Sequence, residues 1–441
     1  MNFKAISKEM LSFVSKNPTA FHTVASIAEN LRRSGFEELL ESETWSLNKG
    51  GKYYVCRNGS SIIAFIIGND LSKLYFNITA SHSDSPSFKV KENSELRTTG
   101  KYTKLNVEGY GGMICSTWMD RPLSLAGRVI VKSKDGSINS RLINIDKDLL
   151  LIPSVAIHLN RDINDGYSYN KQIDLLPLFS EGEKDNSLNA LISKELNISP
   201  EDILSCDLFL YSRERACIWG KDEEYISCSR LDDQQCAFAS MKAFTEADCQ
   251  KSINVLCCFD NEEVGSLTKQ GADSTFLYDV LKRICFNLRC SEEEYMKALA
   301  SSFMLSADNA HAVHPNHPEL SDETNRVFMN EGVVVKSHAN QKYTSDGVST
   351  AIVKELALRA GVPLQFYANR SDKNSGSTLG NIAMAHTSIN CADIGLPQLA
   401  MHSCYETAGI KDTLYMIMLL KEFYSSTITL NNSVSFNITK N

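Results

Sequence analysis

The chain has 441 residues, enough for two domains or for one large α/β domain carrying an insertion. Hydrophobic residues make up 43% and charged residues 22%, an ordinary globular balance that excludes collagen-like and disordered chains. A formal net charge of -8 argues against nucleic acid as a partner, because phosphate binding needs clustered Lys and Arg.

The opening residues, MNFKAISKEMLSFVSK, place Phe3, Ile6, Met10, Leu11 and Val14 at helical spacing with Lys and Glu between them. This predicts an amphipathic helix and not a secretory signal, which needs an apolar core and a cleavage site. No run approaches the roughly 20 apolar residues of a membrane span. The expectation is a cytoplasmic protein with no membrane partner. Helices continue to about residue 50, with a turn at Asn17-Pro18. YYVC (53–56), SIIAFII (61–67) and KLYFNITA (73–80) read as strands, being rich in β-branched and aromatic residues.

Residues 95–215 differ in texture. The strand-like runs RVIVKS, LLLIPSVAIHL and QIDLLPLF are separated by Gly, Asn and Asp turns, and helical spacing is clear only in SLNALISKEL. They predict an inserted β-rich domain, with 1–94 and 216–441 forming the main one.

From about residue 225 strands and helices alternate. DDQQCAFASMKAFTEA, DSTFLYDVLKRICFNLR, STAIVKELALRAG, GSTLGNIAMAHT and DTLYMIMLLKEFYSS read as helices; SINVLCCF, SSFMLSA, PLQFYA and ADIGLPQLAM read as strands. This alternation implies a largely parallel sheet with helices on both faces. The polar tail NNSVSFNITKN is expected to be only partly ordered. Thirteen cysteines occur without a CxxC pair, so reduced, buried thiols are expected rather than a cysteine metal site.

In an open α/β sheet, functional groups gather at the carboxyl ends of the strands. KLYFNITA runs into His82 and Asp84, SINVLCCF into Glu262 and Glu263, SSFMLSA into Asp308, and QLAM into His402; Asp232 precedes a helix. Two histidines and three carboxylates (Asp232, Glu263, Asp308) suit two divalent ions if one carboxylate bridges them. Mixed N and O ligands with an open position are typical of catalytic sites. Side chains of adjacent residues diverge in extended backbone, so of Glu262 and Glu263 one is expected to ligate and the other to act as general base. Asp84, two residues after His82, is placed to hold the second imidazole nitrogen.

ITASHSDSPSFKVK (78–91), MDRPLSLAGRV (119–129), IPSVAIHLNR (152–161), RLDD (230–233), CFDNEEVGS (258–266), SADNAHAVHPN (306–316) and LPQLAMHS (396–403) together resemble the M18, or aspartyl aminopeptidase, family over nearly the full length. The resemblance implies a zinc-exopeptidase-like mixed, mostly parallel sheet flanked by helices, and makes 95–215 a dimerisation domain. It implies His82 and Asp308 on one ion, Glu263 and His402 on the other, Asp232 bridging, and Glu262 as general base with Asp84 behind His82. Zinc is the implied metal, with Co2+ or Mn2+ able to substitute. His158 is implied to reach a neighbouring subunit's active site, within dimers that build a tetrahedral dodecamer. Lys336, His311 and His314 are implied to line the pocket for the N-terminal residue of a peptide with a free N-terminus. Ser375-Gly376-Ser377-Thr378 opens a helix whose N–H groups suit a peptide carbonyl or carboxylate. One departure is visible: Asp233 stands where the family usually has Asn. The competing readings are a two-metal deacylase or carboxypeptidase of related architecture, and a non-catalytic scaffold.

Overall fold

The computed structural model describes residues 2–182, 187–373, 376–432 and 435–440. The chain divides into two compact units. The first comprises Met1–Asp84, Ala216–Met401 and Thr407–Asn441, the second Ser85–Arg215 with His402–Glu406. The second opens ten residues before the expected position 95, because Ser87–Thr98 is one continuous strand of its sheet.

The first unit is built on a nine-stranded sheet. In spatial order its strands are Glu37–Glu38, Lys52–Arg57, Ser61–Ile67, Ile253–Phe259, Phe76–His82, Phe303–Ala307, Asn390–Gly395, Val333–Lys336 and Leu364–Tyr367. The central run from Ile253–Phe259 to Asn390–Gly395 is parallel. Ser61–Ile67 is antiparallel to both neighbours, and Val333–Lys336 is antiparallel to Asn390–Gly395. The sheet is therefore mixed and mostly parallel.

Its strands are apolar on both faces, and the two-residue period sorts them between two cores. Ile62, Ala64 and Ile66 face the core formed with helices Phe3–Lys16, Ala20–Arg33, Leu231–Glu246, Gly347–Ala360 and Asp412–Tyr424. Ile63, Phe65 and Ile67 face the core formed with helices Phe276–Asn287, Glu292–Ala300 and Leu379–Thr387. Helices thus cover both sides, as the alternation requires.

Two expectations are corrected. ADIGLPQLAM is not one strand: Asn390–Gly395 stays in the large sheet, while Pro397–Leu399 pairs with Ala310–His311 and Glu406–Gly409 in a smaller one. LLLIPSVAIHL is not a strand either: only Leu150, Leu151 and Ile152 make isolated bridges, and Pro153 is followed by open backbone and a turn at 157–159. Among the described residues of the tail, Ser426–Asn432 pairs antiparallel to Ser435–Lys440. Phe436 and Ile438, two residues apart, pack on the first core.

The second unit is a six-stranded antiparallel sheet in the order Ile138–Asn144, Leu123–Lys132, Ile203–Ser212, Ser87–Thr98, Tyr102–Tyr110, Leu178–Glu181. Its own core includes Phe88 and Trp118, edge to face at 5.2 Å, and receives Leu188 and Ile192 from helix Ser187–Leu196. Among the described residues no helix is long and apolar enough to cross a membrane.

Candidate metal centre

Neighbouring parallel strands deliver their ends to one edge of the sheet. Phe259 is in register with His82, and Ser306 with Ala80. The segments that follow, Asp260–Glu263 and Asp308, therefore emerge beside His82. Gly395 makes the last approach possible: a Cβ there would lie 2.1 Å from the Asp308 carbonyl oxygen. Helix Leu231–Glu246 contributes its irregular first turn, where Arg230 is left-handed (φ 62°), Asp232 and Asp233 have non-helical dihedrals, and the peptide between them is cis.

His82 Nε2 lies 3.6 Å from Asp232 Oδ1 and 3.8 Å from Asp308 Oδ1. Ligand atoms of His82, Asp232, Asp233 and Asp308 all fall within 4.8 Å of one another, and so do those of His82, Glu262 and Glu263. His82 Nδ1 donates to the Asp84 carbonyl oxygen at 3.1 Å, with Asp84 Oδ1 at 3.4 Å. A carbonyl can only accept, so Nδ1 carries a proton and Nε2 is the nitrogen that faces the acidic groups.

Glu262 and Glu263 lie in a 3-10 turn, Glu262–Val264, and not in the extended backbone expected from sequence. Asn261 (φ 63°) and Gly265 (φ 95°) are left-handed on either side. The Asp84 carboxylate accepts the N–H of Glu262 at 3.1 Å and that of Glu263 at 3.2 Å, one per oxygen. Asp84 thus fixes both the histidine and the double-glutamate turn. Asn261 Oδ1 holds the far side by accepting from Thr268 and Gln270.

Burial and mutual repulsion mark the electrostatics. Burial, then the charges of Asp308, Asp84 and Asp232, push the Glu262 carboxyl up to about 8 against the pull of His82. Glu263 and Asp233 are also raised well above the carboxylate range, by burial first. Burial lowers the His82 pKa, but Asp232, Asp308 and Asp84 outweigh it and raise the imidazole well above its usual value. One imidazole and a crowd of buried carboxylates form a hard, anionic donor set that fits divalent cations.

Lys336 is the cation already in place. It is 2% exposed; Nζ donates to the Asp308 carbonyl (2.8 Å), Asp308 Oδ2 (3.3 Å) and the Asn309 carbonyl (3.3 Å), and it lies 5.2 Å from the Tyr343 ring centre. It is not a surface lysine. Removing one partner of a buried pair strands the other charge, so Lys336→Met is expected to destabilise the metal-free protein by about 3 kcal/mol, read by urea unfolding.

The raised carboxyls also fix a pH dependence. Asp412, buried under the 330–332 loop, is pushed up to about 7 by burial. Between an unfolded value near 4 and their folded values, Asp412 and Glu262 bind more protons in the native state. A rise in pH through that window therefore costs stability. The melting temperature of the metal-free protein is expected to fall between pH 6.5 and 8.5, and to fall less with zinc bound.

His402 belongs to the second unit. It is left-handed (φ 66°), its N–H donates to Glu406 Oε1 (2.8 Å), and its Nδ1 donates to the Gly112 carbonyl (2.8 Å), so Nδ1 carries a proton. His158, also in the second unit, is exposed on the 157–159 turn. His311 and His314 line a cleft of the first unit with Tyr367, Arg370 and Gln398. Ser375 lies outside the described residues; the helix opens at Leu379 with Thr378 before it. Sequence reasoning missed Tyr343, for which no spacing gives a signal, and read Asp233 only as a departure, although it joins the acidic cluster.

The family model for aminopeptidase I zinc metalloproteases (M18) matches residues 13–424. The chain belongs to the M18 aminopeptidase family. This M18 aminopeptidase is 47% identical to a probable M18 family aminopeptidase 2 from Clostridium acetobutylicum, covering 95% of this chain and 98% of that one. It is 37% identical to aspartyl aminopeptidase 1 from Schizosaccharomyces pombe, covering 98% and 97%. The mApe1 dodecamer of S. cerevisiae superposes with a TM-score of 0.84 at 28% identity, covering 96% of this chain and 97% of that one. The M18 chain is thus a metallo-aminopeptidase, a hydrolase of peptide bonds, and the deacylase, carboxypeptidase and scaffold readings fall away.

Proposed function

We propose that this M18 aminopeptidase binds two divalent ions, zinc first among them, and removes the N-terminal residue from peptides. His82 and Asp308 would hold one ion, Glu263 and His402 the other, with Asp232 bridging. The observation that carries this reading is the convergence of His82, Asp232, Asp308, Glu262 and Glu263 at one sheet edge. Bound there, the ions would supply the Lewis acidity that makes water a nucleophile near neutral pH and polarises the scissile carbonyl.

The chain's own groups do the rest. Glu262 accepts the proton of the attacking water and delivers it to the leaving amine. Asp84 holds its backbone through that transfer. The acidic surroundings suit the free α-amine of the substrate, which accounts for cleavage at the N-terminus. His311 and His314 line the substrate pocket, buried Lys336 contributes its positive charge from behind Asp308, and an N-terminal Asp or Glu is preferred over neutral residues. The aspartyl name of the S. pombe relative supports that preference.

The second unit, 85–215 with 402–406, serves as the dimerisation domain. Exposed Val155, Ile157, Leu159 and Ile173 give it apolar surface to bury against a second copy. His158 projects into a neighbour's active site, and the dimers close into a tetrahedral dodecamer, as the dodecameric yeast relative supports. The enzyme works in the cytoplasm. The test is a zinc-reconstituted assay on peptides beginning with Asp, Glu or Leu, each free or N-acetylated. Cleavage of the free series alone, fastest for Asp and Glu, is expected; cleavage confined to the acetylated series would refute the aminopeptidase reading.

A further inference from the structure

Asp233 is an acidic side chain that the ligand scheme above leaves unused. It is 0% exposed. Its Oδ2 accepts the His82 backbone N–H at 3.1 Å. Its Oδ1 is buried with no hydrogen-bond partner among the described residues. The Cys236 thiol lies beside it but donates to Asn309 Oδ1, at 3.1 Å. Leaving a buried carboxylate oxygen without a donor is costly, and such a group in a native protein calls for an ion or another role. The side chain also offers an oxygen within 4.8 Å of the ligand atoms of His82, Asp232 and Asp308. The bond to His82 needs only an acceptor, which an asparagine would supply equally well. The negative charge is therefore the property that the hydrogen bonding does not explain.

We propose that Asp233 is a charge-supplying member of the metal-binding group, raising its affinity for a divalent cation. A cation seated among His82, Asp232 and Asp308 would give Asp233 a counter-charge beyond that of the His82 imidazole and offset the repulsion from Asp308 and Asp232. The inference rests on the metal-centre reading above, and the test separates the two. Metal-free full-length protein is titrated with zinc against a chelating indicator, for the wild type, Asp232→Asn and Asp233→Asn. Asp233→Asn keeps an oxygen acceptor for His82 and replaces the other, charged oxygen with a neutral amide NH2.

Zinc binding about ten- to a hundred-fold weaker in Asp233→Asn than in the wild type is expected, the range for residues that support metal ligands. Affinity equal to the wild type would overturn the inference while leaving the ligand scheme intact, provided Asp232→Asn loses zinc. A wild type that binds no zinc would overturn both. If Asp233→Asn fails to fold, the zinc-loaded wild-type structure decides. An Asp233 oxygen within about 6 Å of an ion, the reach of a charge on a buried group, supports the inference; a greater distance overturns it.

Discussion

Glu262→Gln is expected to lower kcat by a hundred- to ten-thousand-fold, the usual contribution of a positioned general base. The amide keeps the size of the side chain but cannot accept the proton of water. The Glu262 N–H still reaches Asp84, so the turn is held as before. Glu263, the neighbour assigned to ligation, is untouched. Zinc content should therefore equal that of the wild type, measured by elemental analysis on the same sample. Melting of metal-free Glu262→Gln should also depend less on pH than that of the metal-free wild type, because one of the raised carboxyls is gone. Full activity in this variant would remove Glu262 as the base.

The second large effect is expected for Asp232→Asn. Asp232 lies against His82 in the first turn of its helix, is nearly fully buried, and is the residue assigned to both ions. An amide oxygen is a weaker, uncharged ligand, so both ions lose a charged donor together. Zinc content should drop below one ion per chain after dialysis, and kcat/KM should fall at least a thousand-fold. Far-ultraviolet circular dichroism should be unchanged, since the substitution is isosteric. Two tightly held ions per chain would show that Asp232 does not bridge.

Much of the fold was legible because burial imposes simple periods. SIIAFII reads as a strand from its β-branched content, and its unbroken apolar run fits Ile62 and Ile63 facing opposite cores. His82, Glu262 and Asp308 stand out because each ends an apolar strand, where a polar group is out of pattern. The remainder depends on contacts far apart in sequence. Nothing in GVVVK tells that Lys336 reaches across to Asp308, 28 residues earlier. Nothing in Asn-Glu-Glu reveals a 3-10 turn pinned by Asp84, 178 residues away. The strand in the tail is hidden for another reason: polar composition obscures the alternation of Phe436 and Ile438, which is strand spacing. LLLIPSVAIHL misled in the opposite direction, since apolar composition alone cannot show that Pro153 ends the pairing.

The most direct test is to titrate metal-free protein with zinc while following hydrolysis of one Asp-initiated dipeptide. Activity should be absent without metal, rise with added zinc, and level off at two ions per chain. Hydrolysis by the metal-free protein, or a plateau at one ion, would contradict the account.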